Sequence, residues 1–454
     1  MDKYLSRNID QALLEWKDNP RRKPLLVRGA RQVGKSSTIR HLGKNFKYFL
    51  EVNVERNPEV MEFFKGSRDV KSIAAKLSDF FNVPVVPGET LLFLDEIQKS
   101  EDVIHSLWFF KEDYPELHVI AAGSLLEFAL KNLSSFGVGR VSSLFVYPMS
   151  FDEFLTATRQ EGLLRTKRNS SPTNPLPEAF YNRLVEAFRS YMLVGGMPEA
   201  VATYTETGSY RYSSDIVNEI IQGYQDDFAK YGAKANPLLL RQTLISVAHQ
   251  AGAKFVYSRV EGQYRSAEVK VALEMLKDAG LIIPTYHTDA NGVPLGAEIN
   301  ERVVKYLIHD TGVLLGILGI DDDIDERIKE MMVADSIDLV DKGHVAEMMA
   351  GLELIKYSSP QTRHQLYYWQ NMNKGTCAEV DYVIARSGSI VPIEVKSGVK
   401  GSMSSMYSLM RNPQKHIEMG IRCSLENFGT FASPDGKKID IIPLYAISNL
   451  FAEK

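Results

Sequence analysis

One run of residues constrains this chain more than any other: Gly29-Ala30-Arg31-Gln32-Val33-Gly34-Lys35-Ser36, a G-x-x-x-x-G-K-[ST] pattern. Roughly 0.02 chance matches are expected in a chain of this length, so the pattern carries information. Its flanks agree with it. Leu25-Leu26-Val27 reads as a short buried strand, and Lys35 to about Gly43 reads as a helix. Each residue type has a physical job. The glycines allow backbone angles closed to other residues. Successive N–H groups then turn toward phosphate oxygens, and the helix beginning at Lys35, Ser36 and Ser37 aims its positive end at the same place. Lys35 would reach the β- and γ-phosphates of ATP, and the Ser36 hydroxyl would ligate Mg²⁺.

A second segment completes that expectation. Leu91-Leu92-Phe93-Leu94-Asp95-Glu96 is an apolar strand that delivers two acids at its C-terminal end, where open α/β sheets bind ligands. Asp95 would hold Mg²⁺ through water, and Glu96 would orient and polarise the attacking water. Strand-like runs at 25–27, 48–54, 90–94 and 118–122 alternate with helical patterns, which predicts a parallel α/β sheet. The strand at 118–122 leads into Gly123-Ser124. Ser124 could sense the γ-phosphate, cap the helix at 125–131, or do both. Arg140 follows a polar loop at 132–140 containing Gly137 and Gly139. Its readings are a γ-phosphate sensor, a finger reaching a neighbouring subunit, and a solvated surface arginine.

The chain has 454 residues, enough for two or three domains with their own cores. Its 44% hydrophobic and 24% charged content is that of a globular protein. A net charge of −4 shows no global basic excess, so nucleic-acid binding would need a local patch. The two cysteines, Cys377 and Cys423, exclude a disulfide scaffold and favour a reducing cytoplasm. No signal-peptide core and no membrane-spanning run is legible.

Further along, Ser150 is the expected N-cap of a helix to Thr158, with Glu153 completing a capping box. Residues 161–177 read as a Pro-rich basic loop or a locally disordered stretch. Helical patterns follow at 178–193, 210–230, 236–251 and 266–279. A hairpin from Leu281 turns at Asn291-Gly292, so 235–310 reads as a winged helix-turn-helix, a module that docks on DNA or on protein. Its helix 266–279 carries Glu268, Lys270, Glu274, Lys277 and Asp278, poorly basic for a phosphate-facing element. Arg259, Arg265 and Lys254 flank it. The acidic run 321–326 looks like a boundary or a solvated loop. Scattered histidines without metal-ligand spacing predict no zinc site.

The C-terminal part holds a second constellation. Asp381 lies on one strand, and Glu394 and Lys396 lie two apart on the next, hence on one face. A tight turn at Ser387-Gly388 would pair these strands antiparallel and bring Asp381 beside Glu394. Two carboxylates and a lysine so placed suit Mg²⁺ and an activated water. Glu347, in the preceding helix, is a candidate third acid. The competing reading is a degenerate scaffold whose charges form a structural pair.

Residues 1–205, through RGARQVGKS, LLFLDEIQ, AAGS and GRVSSLFVYPMSFDEF, resemble the AAA-type P-loop ATPases of bacteria and archaea, close to a subfamily with an uncharacterised C-terminal extension. AAA-type relatives generally carry asparagine at the sensor position, where this chain has Ser124. Residues 343–450 resemble the PD-(D/E)xK nuclease fold, particularly its archaeal Holliday-junction-resolvase-like branch. That second resemblance implies phosphodiester cleavage, with Asp381 and Glu394 as metal ligands and Lys396 supporting the nucleophile. The expected architecture is α/β: an ATPase domain with a helical lid over 1–205, a winged-helix-like domain over 206–330 and a restriction-endonuclease-like domain over 331–454. The expected activity is ATP hydrolysis coupled to nucleic-acid processing, with ATP/ADP and Mg²⁺ as cofactors. DNA contacts would run through the middle and C-terminal parts, and a homo-oligomer is open. The alternative is a slow ATP-dependent switch whose other domains only bind protein or DNA.

Overall fold

A computed structural model describes residues 4–132, 139–231, 236–319, 345–371, 378–398 and 401–451. The acidic run 321–326, Cys377 and most of the loop 132–140 lie outside the described residues. The chain forms two compact units. The first comprises Met1–Tyr147 with Asp278–Gly280 and Ser359–Arg363, and the second holds the rest.

The first unit is built on strands β1 (Leu25–Arg28), β2 (Tyr48–Asn53), β3 (Thr90–Asp95), β4 (His118–Ala122) and β5 (Ser142–Phe145). They form one sheet in the order β2-β3-β4-β1-β5, and every neighbouring pair is parallel. Strands β3 and β4 are buried along their whole length, as strands covered on both faces must be. On one side, Ile73, Leu77, Val103, Leu107 and Phe110 pack on Leu92, Leu94 and Val119. Near the start of the chain, helix Ile9–Asp18 buries Ile9, Leu13 and Trp16, which its 3.6-residue period puts on one face. The order places β1 between β4 and β5, so the loop after β1 opens at the C-terminal edge beside the ends of β3 and β4.

The second unit contains two mixed sheets. One has the order β7-β6-β8-β9, from Ile299–Ile308, Ile282–Thr288, Leu366–Gln370 and Glu379–Val380 respectively. The other has the order β10-β11-β12-β14-β13, from Tyr382–Arg386, Ser389–Val395, Met419–Ser424, Lys438–Pro443 and Gly429–Ala432. Strands β10 and β11 pair antiparallel down to Arg386↔Ser389. Ser387 and Gly388 between them both take positive φ, 50° and 76°, the conformation a two-residue hairpin turn demands. The turn expected from Ser387-Gly388 is therefore present.

Two expectations need correction. Residues 161–177 contain a helix, Glu161–Arg168, which buries Leu163, Leu164 and Lys167; its polar composition hid an amphipathic turn anchored by one buried lysine. The hairpin of 281–308 does not turn at Asn291-Gly292. Pairing ends at Thr288↔Ile299, and the side chain of Glu298 takes the Asn291 N–H and amide, each at 3.2 Å. Moreover, β6 lies between β7 and β8, so this hairpin is part of a four-stranded sheet. Among the described residues no helix is long and apolar enough to cross a membrane.

The segment Met149-Ser150-Phe151-Asp152-Glu153-Phe154 has a physical explanation in this unit. Ser150 and Glu153 form the expected capping box. The Phe151 N–H donates to Glu353 Oε2 at 3.1 Å, and Tyr191 Oη lies 2.8 Å from Glu353 Oε1 and 2.7 Å from the Met149 carbonyl, with one proton to donate between them. Asp152 is ion-paired with Lys167, and both are buried. Lys167 Nζ also donates to Ser448 Oγ at 2.5 Å. Arg168 also meets Asp152 Oδ2 at 3.1 Å, so losing Lys167 leaves that carboxylate with one cation. Lys167→Ala is therefore expected to destabilise this unit by no more than ~3 kcal/mol, the low end for a broken buried pair. A Lys167→Met/Asp152→Leu double variant is expected to recover most of that loss, read as the midpoint of denaturant unfolding.

Candidate functional site

The loop after β1 folds as its sequence requires. Gly29 has φ 147°, and a Cβ there would run into the carbonyl oxygen of Val146; no other residue fits. Gln32 and Gly34 also turn left-handed, at 64° and 93°. Helix Lys35–Gly43 then begins with no side chain capping it, so its first amides point into the loop without a side-chain acceptor. Thr38 turns inward and donates to the Gly34 carbonyl at 2.9 Å, whereas Arg31, Gln32 and Ser37 are exposed. Arg7 braces the loop from behind, donating to the Val33 carbonyl at 2.9 Å and to the Tyr147 carbonyl at 2.6 Å.

Lys35 is buried, and its ammonium donates to the loop's own carbonyls, Gly29 at 3.0 Å and Ala30 at 2.7 Å. Burial lowers it to about 8, against the opposing pull of Glu96 and Asp95. Ser36 Oγ lies 3.3 Å from Asp95 Oδ2, and Asn53 Nδ2 approaches the same oxygen at 3.5 Å. Burial, then the neighbouring Glu96, pushes Asp95 above the usual carboxylate range. A hydroxyl and a carboxylate side by side, with a buried ammonium next to them, form a hard-oxygen donor set that fits Mg²⁺ and a polyphosphate.

Glu96 takes φ 55°, an uncommon angle for a non-glycine residue, and this turns its side chain toward the end of β4. There Ser124 Oγ donates to Glu96 Oε2 at 3.1 Å, and Gln98 Nε2 donates to the same oxygen. Gln98 Nε2 also approaches Ser124 Oγ at 3.5 Å. A Cβ on Gly123 would strike Gln98 Oε1, so glycine at 123 is what lets Gln98 lie here. Ser124 thus joins the expected acid, and Gln98 is a functional candidate that sequence reasoning missed. Its signal was available: an amide two residues past Glu96. Gln98→Leu removes a hydrogen bond to a charged group, worth ~1.5–3 kcal/mol. It is expected to lower kcat by roughly 10- to 100-fold with little change in KM, measured by steady-state ATPase kinetics.

Arg140 is not at this site. It lies just before β5, which pairs Ser142 with Leu25, at the N-terminal edge of the sheet. There its guanidinium pairs with Glu112 at 2.9 Å and sits 5.9 Å from the Trp108 ring. The loop opens at the opposite edge, so a γ-phosphate sensor within the same chain is excluded for this arrangement.

The second constellation is assembled, though differently from expectation. Asp381 and Glu394 come together, and the Val395 N–H donates to Asp381 Oδ2 at 2.7 Å. Lys396 Nζ pairs with Glu394 Oε1 at 2.8 Å. Glu347, the candidate third ligand, is engaged by Lys305, whose ammonium lies 2.8 Å from Glu347 Oε1 and 2.5 Å from Glu379 Oε1. Glu394 Oε2 is buried without a hydrogen-bond partner. Burial, then Glu347 and Glu394, raises Asp381 well above the usual range; burial raises Glu394 too, against the pull of Lys396. Among the described residues no group of three or more His, Cys, Asp or Glu is arranged to hold a metal ion. Lysine ammoniums take one oxygen each of Glu347 and Glu394, so Glu347, Asp381 and Glu394 do not form a ready three-carboxylate metal set as they stand, although Glu394 Oε2 is left without a partner. Lys305 was missed by sequence reasoning, yet a lone lysine in Val303-Val304-Lys305-Tyr306-Leu307-Ile308 is a strand position that demands a buried partner.

The parallel sheet, the glycine loop feeding a helix and the paired acids one strand away define a P-loop nucleotide-binding domain. Residues 21–155 match the family model described as an AAA domain, and that span holds both the loop and the acids. Residues 185–324 match a domain of unknown function, DUF8612, and residues 342–447 match another, DUF4143. A search of curated proteins returns no match. Among solved structures, a Walker-type ATPase of Pyrococcus abyssi is 18% identical, with 69% of this chain and 96% of that one covered and a TM-score of 0.43. The Aeropyrum pernix ORC1 protein, solved in complex with DNA, is 13% identical, with 72% and 95% covered and a TM-score of 0.30.

Proposed function

We propose that this chain binds ATP with Mg²⁺ in the loop 29–36 and hydrolyses it. The observation that carries this reading is the 3.3 Å approach of Ser36 Oγ to Asp95 Oδ2, directly beside the buried Lys35 and the Ser124-held Glu96. Bound Mg²⁺ would screen the charge on the phosphates. Lys35 exchanges the loop carbonyls for phosphate oxygens, and the amides at the start of helix Lys35–Gly43 bind the same anion. Ser36 and Asp95 would hold the ion. Glu96 accepts the proton of the attacking water, and Ser124 and Gln98 orient its carboxylate. Exposed Arg31, Gln32 and Ser37 would face the solvent side of the nucleotide.

The second unit is read as a platform that binds a protein or nucleic acid without cutting it. The Lys396–Glu394 ion pair and the engagement of Glu347 by Lys305 favour that reading over phosphodiester cleavage. Helix Ser266–Asp278 carries mixed charge, with Lys277 paired to Glu274, while Arg259, Arg265 and Lys254 are exposed beside it. The deciding experiment is an ATPase assay with Mg²⁺, with and without duplex or branched DNA, alongside a nicking assay on plasmid. Mg²⁺-dependent turnover with intact plasmid supports both halves of the reading. Absence of ATP binding at millimolar nucleotide refutes the first half, and metal-dependent nicking abolished by Asp381→Ala refutes the second.

A further inference from the structure

Four acids converge in the second unit from three places: Glu347 on helix Val345–Lys356, Glu379 on β9, and Asp381 and Glu394 at the paired ends of β10 and β11. Glu347 and Glu394 are buried, and Glu379 and Asp381 are partly covered; negative charges so close repel one another and the buried ones lose hydration, so such a group needs a cation. Where acids gather to do phosphodiester chemistry, that cation is a divalent metal. Here β7 supplies one from the protein. Its Lys305 side chain is 1% exposed. The ammonium bridges Glu347 and Glu379 at 2.8 and 2.5 Å and lies 5.0 Å from the centre of the Tyr368 ring. The rest of the frame is tied down as well. Tyr382 Oη donates to the main-chain carbonyl of Glu347 at 2.8 Å, which holds that helix against β10. Lys396 covers one oxygen of Glu394.

We propose that the Lys305 ammonium stands in the cation position of this acid cluster, so that the cluster is held together by an internal charge and takes no divalent metal. The lysine comes from the strand hairpin of 282–308, whereas Glu379, Asp381 and Glu394 come from 379–395. Its role is therefore to weld two stretches of sequence far apart in the chain into one sheet assembly. Lys305 sits on β7, two strands away from β8 in the same sheet as β9, and the Glu347 helix packs alongside. A metal bound by Glu347 would displace Lys305 from Glu347 Oε1 and leave its buried ammonium with Glu379 as its remaining ion-pair partner, a loss for a charge away from water. None of this uses a residue of the nucleotide loop, so it stands or falls separately from ATP hydrolysis.

The test is Mn²⁺ binding to the full chain, read by loss of the free-ion EPR signal in the absence of nucleotide. Wild type and Glu347→Gln are compared first. Equal Mn²⁺ uptake is expected, because Glu347 is already neutralised from within. A Mn²⁺ equivalent present in wild type and lost in Glu347→Gln or in Asp381→Asn overturns the proposal. Lys305→Ala is then expected to gain one Mn²⁺ equivalent per chain, to lose it again when Glu347→Gln is added, and to melt at a lower temperature that Mn²⁺ restores and an equal concentration of Na⁺ does not. A folded Lys305→Ala that binds no more Mn²⁺ than wild type also overturns it. If Lys305→Ala does not fold without metal, refolding it with and without Mn²⁺ decides: rescue supports the internal cation, and its absence overturns it.

Discussion

Glu96→Gln is expected to bind ATP within a few-fold of wild type and to hydrolyse it roughly 10²- to 10⁴-fold more slowly. That is the usual yield of a general base placed in a transition state. The substitution keeps the size of the side chain and its ability to accept from Ser124 Oγ, now 3.1 Å away, so the site stays assembled. What disappears is the carboxylate that takes a proton from water. Binding is checked by titration with a fluorescent ATP analogue and turnover by phosphate release. Turnover above a tenth of wild type would assign the base to another residue, and loss of binding would mean that Glu96 supports the loop. Asp95→Asn is the informative companion. It removes the Ser36-facing oxygen charge, so its defect should appear as a loss of Mg²⁺ dependence.

Lys35→Ala is expected to weaken ATP by about 100-fold or more, the ~3 kcal/mol at the upper end for hydrogen bonds to charged groups. Calorimetric titration measures it, and unchanged affinity would refute the loop assignment. A pH experiment gives the same residue a second signature. Without nucleotide, burial holds Lys35 at about 8. A polyphosphate beside it favours the ammonium and raises that value. Binding therefore takes up a proton above about pH 8 and none below. Wild-type affinity is full below pH 8 and declines as pH rises through it, by up to about tenfold per unit. A Lys35→Arg variant, whose guanidinium does not titrate in this range, should show a flat profile from pH 7 to 9.5. A flat profile for wild type would remove Lys35 from phosphate contact.

Much of the first unit was legible because its signals are local. Apolar runs such as Leu91-Leu92-Phe93-Leu94 are what a strand buried on both faces must look like, and Gly29, Gly34, Lys35 and Ser36 sit within one turn of backbone. The capping box at Ser150 and Glu153 and the hairpin turn at Ser387-Gly388 were legible for the same reason. The errors came where composition competed with pattern. Residues 161–177 look disordered because their helix Glu161–Arg168 buries a lysine, Lys167, and a hydropathy reading counts that against it. Arg140, left open between a phosphate contact and a surface arginine, pairs with Glu112 at the far edge of the sheet. Chain order does not reveal at which edge of a sheet a segment re-enters.

The sequence by itself determined the nucleotide loop, the two acids that follow it and the alternation that makes the first sheet parallel, because each depends on residues a few positions apart. Only the tertiary structure decided that Gln98 and Ser124 share one oxygen of Glu96. Only it decided that Arg140 pairs with Glu112 at the far edge, and that Lys305 reaches Glu347 and Glu379. The physical reason is distance along the chain. A buried charge must find its counter-charge somewhere, but nothing local specifies which of 57 acids the folded backbone will carry to it.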